Sequence, residues 1–223
     1  MWVKQAWAVL QKDVLIEARS RINLNAMVFF AIIVLLIFSF ALGPDPVRLR
    51  AAAGGLLWLA FVFSGILAFG RIYQIEMDNN AFEGLMLVAQ NRSAVYVGKL
   101  LGGILVMLLI EVVVLPLMSV LYNLDLWGST LPLLGISLLG TIGFAAVGTL
   151  YGALTMRLHA REVLLPLLLL PVTVPVILGG VKATNAIIVG PAADAPLWVM
   201  LLVVFDIVFV TAGLLTYEYA VTE

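Results

Sequence analysis

The stretch LLGGILVMLLIEVVVLPLMSVL, residues 100–121, carries one charged side chain, Glu111, in 22 positions. As a helix it is about 33 Å long, close to the roughly 30 Å hydrocarbon thickness of a bilayer. Helix is the only form open to it, because an unpaired peptide group in hydrocarbon costs several kcal/mol. Working outward, five further runs have the same character, at 22–42, 51–70, 131–155, 163–181 and 197–216. The chain is therefore expected to be an all-α polytopic membrane protein of six transmembrane helices, forming one permease domain over 1–223.

Composition agrees. Apolar residues make up 64% of the 223 positions and charged residues 11%, and the mean hydropathy is +1.16. Polar surface is too scarce to cover a water-soluble domain. Six spans and short connections fill the chain, leaving no room for a globular catalytic domain, so no catalytic residue is assigned. The net charge of -1 offers no basic stripe to displace phosphate counterions, which argues against nucleic-acid binding. With no cysteine, disulfides, thiolate catalysis and Cys-ligated metal are excluded. No metal site is assigned, and the lone His159 is expected in a solvated loop beside Arg157 and Arg161. Gly98-Lys99-Leu100 lacks the upstream glycine and the hydroxyl residue of a phosphate-binding loop, so any ATP would be bound by a partner chain. The first apolar run starts near Ile22 after an amphipathic leader, unlike a cleavable signal.

Six crossings put both termini on one side. Lys4, Lys12, Arg19, Arg21, Arg71, Arg92, Lys99, Arg157 and Arg161 fall on that side, against Arg48, Arg50 and Lys182 on the other. The positive-inside rule then makes both termini cytoplasmic. Tyr73, Tyr96 and Tyr217 at inner span ends, with Trp127 and Trp198 at outer ends, are expected to anchor in the headgroup zone.

Two cytoplasmic pieces are amphipathic. In residues 1–21, Val3, Trp7, Leu10 and Val14 recur at helical spacing among polar neighbours, the pattern of a helix lying in the membrane interface. Between spans two and three, Phe82, Leu85, Met86 and Ala89 recur likewise, behind an acidic start at Glu76, Asp78 and Glu83. Acidic groups suit the positive end of a helix dipole, and a short amphipathic helix outside the membrane is something a partner protein can grip.

Within the spans, Glu111 and Asp206 are the polar outliers. A charge at that depth costs about 2.5–3.5 kcal/mol on insertion scales, so both are expected to face the bundle interior, as interhelix hydrogen-bonding groups or as functional carboxyls. No Lys or Arg is read inside a span. Span four carries a small-residue stripe of Thr141, Ala145, Gly148, Gly152 and Thr155, which permits close helix approach. Span five holds Pro166, Pro171 and Pro175. Each removes a backbone donor, so this helix is expected to be kinked or partly unwound.

Four stretches carry a family likeness: Glu76 to Leu87 with its Phe-Glu-Gly-Leu-Met-Leu core, Val95-Tyr-Val-Gly-Lys99, Glu111-Val-Val-Val-Leu-Pro-Leu, and the proline-rich fifth span running into Gly179-Gly-Val-Lys-Ala-Thr184. In these, and in length and span order, the chain resembles CcmB, the membrane subunit of the cytochrome c maturation ABC transporter, usually labelled the haem exporter permease. It departs where the family has a Ser-Pro pair, reading Val88-Ala-Gln-Asn91 instead. The resemblance implies an ABC-2-like permease fold, a homodimer with a soluble ABC ATPase subunit, an N-terminal interfacial elbow helix at 1–21, and a cytoplasmic coupling helix at Glu76–Ala89 that enters the ATPase. On that reading Glu76, Phe82, Glu83, Leu85 and Met86 are the ATPase-coupling residues. A haem-handling membrane protein and a periplasmic haem chaperone are the further partners. Haem is then the candidate substrate, or ATP hydrolysis releases the haem-loaded chaperone, and no cofactor resides on this chain. The alternatives are an ABC-2 exporter of lipid or drug, and a proton-coupled secondary transporter using Glu111 and Asp206.

Overall fold

A computed structural model describes residues 2–20, 22–78, 91–124, 128–156, 158 and 160–222. These form seven α-helices and one short 3-10 turn, Ala192–Asp194. The helices are α1 (Trp2–Ser20), α2 (Ile22–Leu42), α3 (Pro46–Asp78), α4 (Arg92–Leu121), α5 (Thr130–Thr155), α6 (Arg161–Ile188) and α7 (Ala195–Thr222). Among the described residues six helices, all but α1, are long and apolar enough to cross a membrane, and there is no strand. The six-span, all-α expectation holds. Several helices run beyond their apolar runs: α3 continues to Asp78 and α4 starts at Arg92. Helical hydrogen bonding does not stop where hydrocarbon stops, so hydropathy marks the membrane but not the helix end.

Local chemistry explains the breaks. Gly43, at φ +72°, ends α2 in the left-handed region that glycine enters without steric cost. Two residues on, the Asp45 side chain accepts from the Val47 amide at 2.9 Å, capping α3, whose first residue is Pro46; proline at that position loses no bond. Asn91 caps α4 in the same way, accepting from the Ser93 amide at 3.1 Å.

Helix α3 sits at the centre, packed against α2, α4, α5 and α6. Its Trp58, 2% exposed, is wedged where a side chain on Gly140 of α5 or Gly180 of α6 would collide with the indole. The indole Nε1 donates to Thr184 Oγ1 at 3.0 Å, and the Gly54 amide donates to Asn185 Oδ1 at 3.1 Å. The small stripe of span four serves the same helix: Phe69 and Tyr73 of α3 fill the space beside Gly148 and Gly152. That stripe is consumed within the chain. Helices α2 and α7 lie outside and turn Phe29, Phe40, Met200 and Ile207 outward, as a surface facing lipid would.

Helix α1 rests mainly on α4. It docks through Ala6 and Val9, both 5% exposed, over Gly98, where an added Cβ would lie 2.6 Å from Val9 and 2.7 Å from the Ala6 carbonyl. Val3 and Trp7 remain exposed. The apolar stripe read from the sequence is thus centred about 100° around the helix from the docked face, with Val3 and Trp7 pointing outward and Leu10 and Val14 half-buried.

Candidate functional site

Among the described residues, a buried cluster of charged side chains lies at the end where both termini emerge. Asp13 and Lys12 come from α1, Glu76 from the last turn of α3, and Lys99 from the second turn of α4. Lys99 Nζ lies 2.7 Å from Glu76 Oε1 and 3.1 Å from Asp13 Oδ2. Lys12 pairs with Glu76, and with Asp13 at 3.1 Å. The Lys99 and Glu76 side chains are only 1% and 3% exposed, and Lys99 also lies 5.5 Å over the Tyr73 ring, within cation–π range. Two cations against two carboxylates make the network neutral, which is how buried charge is tolerated. Burial alone pushes the Lys12 ammonium down, but Asp13 and Glu76 outweigh it, so its pKa is held above the ordinary 10.5.

Beneath this network lies a tyrosine cluster. The Tyr73 hydroxyl donates to the Thr149 carbonyl at 2.9 Å and lies 3.3 Å from the Tyr217 hydroxyl. Tyr96 donates to the Ala146 carbonyl at 3.4 Å, and its ring meets that of Tyr217 at 5.4 Å. Tyr73, Tyr96 and Tyr217 are at most 2% exposed. They are not headgroup anchors, which corrects the sequence reading: their hydroxyls find acceptors inside the bundle, and glycines at 152 and 213 leave room for the rings of Tyr73 and Tyr96. Ion pairs and tyrosines together join α1, α3, α4, α5 and α7 at one end.

Helix α3 ends at Asp78, two residues after Glu76, and α4 begins at Arg92, seven residues before Lys99. Of the proposed coupling residues, Phe82, Glu83, Leu85 and Met86 lie outside the described residues. Glu76 is described, and its carboxylate turns inward to the two lysines. Lys99 is the charge that sequence reasoning set one residue outside span three. It lies inside α4, whose 30 residues from Arg92 to Leu121 are long and apolar enough to cross a membrane. Lys12, Asp13 and Lys99 had no assigned role from sequence.

The intramembrane carboxyls are buried as expected, Glu111 at 4% and Asp206 at 7% exposure, but they are not brought together. Glu111 Oε1 accepts from Thr141 Oγ1 at 2.6 Å, whereas Asp206 packs against Gly143. Positions 141 and 143 lie about 200° apart around α5, so the two carboxyls occupy opposite sides of that helix. Glu111 Oε2 and both Asp206 oxygens have no hydrogen-bond partner among the described residues. Helix α6 is continuous through Pro166, Pro171 and Pro175, so the partial unwinding anticipated for span five is absent. The intervening turns keep their bonds, and Thr173 Oγ1 adds one to the Leu169 carbonyl at 2.9 Å.

Comparison with known proteins follows from this architecture. The family described as CcmB protein matches residues 4–222. A "Heme exporter protein B" of Rhodobacter capsulatus is 30% identical over 195 residues, covering 85% of this chain and 87% of its own. That of Pseudomonas aeruginosa is 31% identical over 176 residues, 78% of each chain, and that of Haemophilus influenzae 29% over 173 residues, 76% of each. A match across nearly the whole length, on a six-span helical bundle, means that the chain belongs to the CcmB protein family.

Proposed function

We propose that this chain is the membrane subunit of an ATP-driven complex that serves haem export in cytochrome c maturation. The name carried by its relatives, "Heme exporter protein B", supports the haem assignment. The coupling role rests on one observation: Glu76 and Lys99, 2.7 Å apart and buried, clamp the two helices from which residues 79–90 emerge. A partner pushing on that segment would move α3 and α4 as a unit, and α1 with them through Asp13.

In this reading both termini and the 79–90 segment are cytoplasmic, following the distribution of Lys and Arg. A soluble ATPase grips the segment through Phe82, Glu83, Leu85 and Met86, with Glu76 acting from beneath as a positioning residue. ATP stays on the partner. Helix α1, with Val3 and Trp7 exposed, is the elbow lying in the inner interface. A second copy of the chain completes an ABC-2-like permease, which works with a haem-handling membrane protein and a periplasmic haem chaperone. Glu111 and Asp206, on opposite sides of α5, fit separate interhelix roles better than a shared proton path.

The test is co-purification. Replacing Leu85 with Asp is expected to abolish recruitment of the ATPase subunit to membranes and haem attachment to c-type cytochromes together, while leaving the chain in the membrane. Recruitment equal to wild type would refute the proposed contact. Normal c-type cytochromes in a strain lacking the gene would refute the haem assignment.

A further inference from the structure

We propose that the cleft enclosed by α1, α2, α3 and α4 is a binding site for one phospholipid with a zwitterionic, amine-bearing headgroup. The cleft holds about 390 Å³, within the range typical of ligand sites. Its polarity runs along the helix axes. Asp13, Glu17, Arg71 and Glu76 line it toward the terminal end, while Met27 and the α4 stripe from Gly102 to Leu109 line the remainder. That stripe spans about 10 Å of helix. Leu105 and Leu109 are 40% and 43% exposed, so the apolar part opens sideways onto the membrane-facing surface of α4. A charged head above an apolar channel that is open to lipid is the shape of an amphiphile lying parallel to the spans.

Charge selects the headgroup. Asp13 is neutralised by the two lysines, and Glu76 binds them through Oε1. Glu76 Oε2, in a residue only 2% exposed, has no hydrogen-bond partner among the described residues. Buried carboxylate oxygens are rarely left so. Glu17 accepts the Leu24 amide at 3.1 Å and pairs with no cation among the described residues. Arg71 is exposed and pairs with no carboxylate among them. Uncommitted negative charge at Glu17 and an unfilled acceptor at Glu76 Oε2 therefore stand in the same cleft as one uncommitted guanidinium. A phosphate on Arg71 with an ammonium on Glu17 and Glu76 satisfies both. A headgroup bearing only negative charge would satisfy Arg71 alone and face the carboxylates. This inference does not depend on what the complex exports.

The full chain, purified in mild detergent, is mixed with equimolar phosphatidylethanolamine and phosphatidylglycerol of the same acyl chains and examined by native mass spectrometry. One lipid per chain is expected, with the ethanolamine lipid favoured about tenfold, as one charge-assisted hydrogen bond allows. Glu17→Gln keeps an acceptor for the Leu24 amide, so α2 starts unchanged, and the preference should collapse toward parity while one lipid stays bound. Arg71→Gln should weaken both lipids about tenfold, and soluble glycerophosphoethanolamine should displace neither. Equal retention of the two lipids by the wild type would overturn the proposal. So would an unchanged preference in Glu17→Gln, or displacement by the soluble headgroup, which would make the site one for a free phosphate ester.

Discussion

Replacing Lys99 with Met keeps the length and apolar stem of the side chain and removes only the ammonium. In the native bundle that ammonium lies 2.7 Å from Glu76 and 3.1 Å from Asp13, with its side chain 1% exposed. Removing one partner of a buried ion pair costs about 3–5 kcal/mol, because the other charge is left uncompensated. Lys12 stays beside both carboxylates, at 33% side-chain exposure, so the lower end applies, about 3 kcal/mol. For a chain of this size that corresponds to a fall of roughly 6–12 °C in the midpoint of thermal unfolding. Tryptophan fluorescence of the detergent-purified chain reads the midpoint. Glu76→Gln removes the negative charge, and Lys99→Met with Glu76→Gln leaves a neutral arrangement with Asp13 on Lys12. The double variant should therefore recover about 1–3 kcal/mol relative to the sum of the singles, the coupling expected of residues in direct contact. If Lys99→Met moved the midpoint no more than Lys4→Met does, or if the cycle were additive, the network would not be holding this end of the bundle together.

Three further expectations concern the docking of α1 and the packing around Trp58. Gly98→Ile would drive a side chain into Val9 and the Ala6 carbonyl; α1 should undock and become the first segment cut in limited proteolysis. Gly140→Ala would press on the Trp58 ring, whereas Gly135 has open space beside it; the first should lose about 1–3 kcal/mol by overpacking, and Gly135→Ala should be neutral or slightly stabilising in the same melting assay. Lys12 has a pKa raised above 10.5 in the folded chain, so its contribution is fully present below 10.5 and is lost as pH rises through the folded value. Undocking of α1, followed by proteolysis, should start only above pH 10.5 in the wild type, and Lys12→Met should release α1 more readily at neutral pH.

The spans were legible because each is a long uninterrupted signal: 22 positions with one charge at 100–121 admit a single physical solution. The cluster at the terminal end was not. Lys12 and Glu76 are 64 residues apart, and Lys99 and Asp13 are 86, and no local period joins them. The positive-inside rule counts such lysines as solvated, so it set Lys99 at a boundary and sent the tyrosines to the headgroups. A signal was available in the spacing. Tyr73 precedes Glu76 by three positions, and Tyr96 precedes Lys99 by three. Each pair shares a helix face, the charges are opposite, and the two helices are consecutive and antiparallel at the same end. The docked face of α1 was hidden for a different reason. It is built from Ala6, Val9 and Asp13, in which one apolar valine stands between a small residue and an acidic one, while Val3, Trp7, Leu10 and Val14 form the more continuous apolar series.

Many polar bonds between helices fall near the two ends of the bundle, with Thr141 to Glu111 joining α4 and α5 between them. At the terminal end they tie α1, α3, α4, α5 and α7 through the ion pairs and the tyrosines. Helix α6 is tied to α3 at the opposite end, through Thr184 to Trp58 and Asn185 to the Gly54 amide. Between its ends α6 carries Pro166, Pro171 and Pro175, and the hydroxyl there, Thr173, bonds only to carbonyls of its own helix. A displacement delivered through residues 79–90 would therefore be shared stiffly by the five helices that the network joins. Helix α6 is short of three backbone donors along its length, so its own hydrogen bonds brace it less against bending. Under the proposed coupling, α6 is then the helix expected to flex while staying unbroken through Pro166, Pro171 and Pro175.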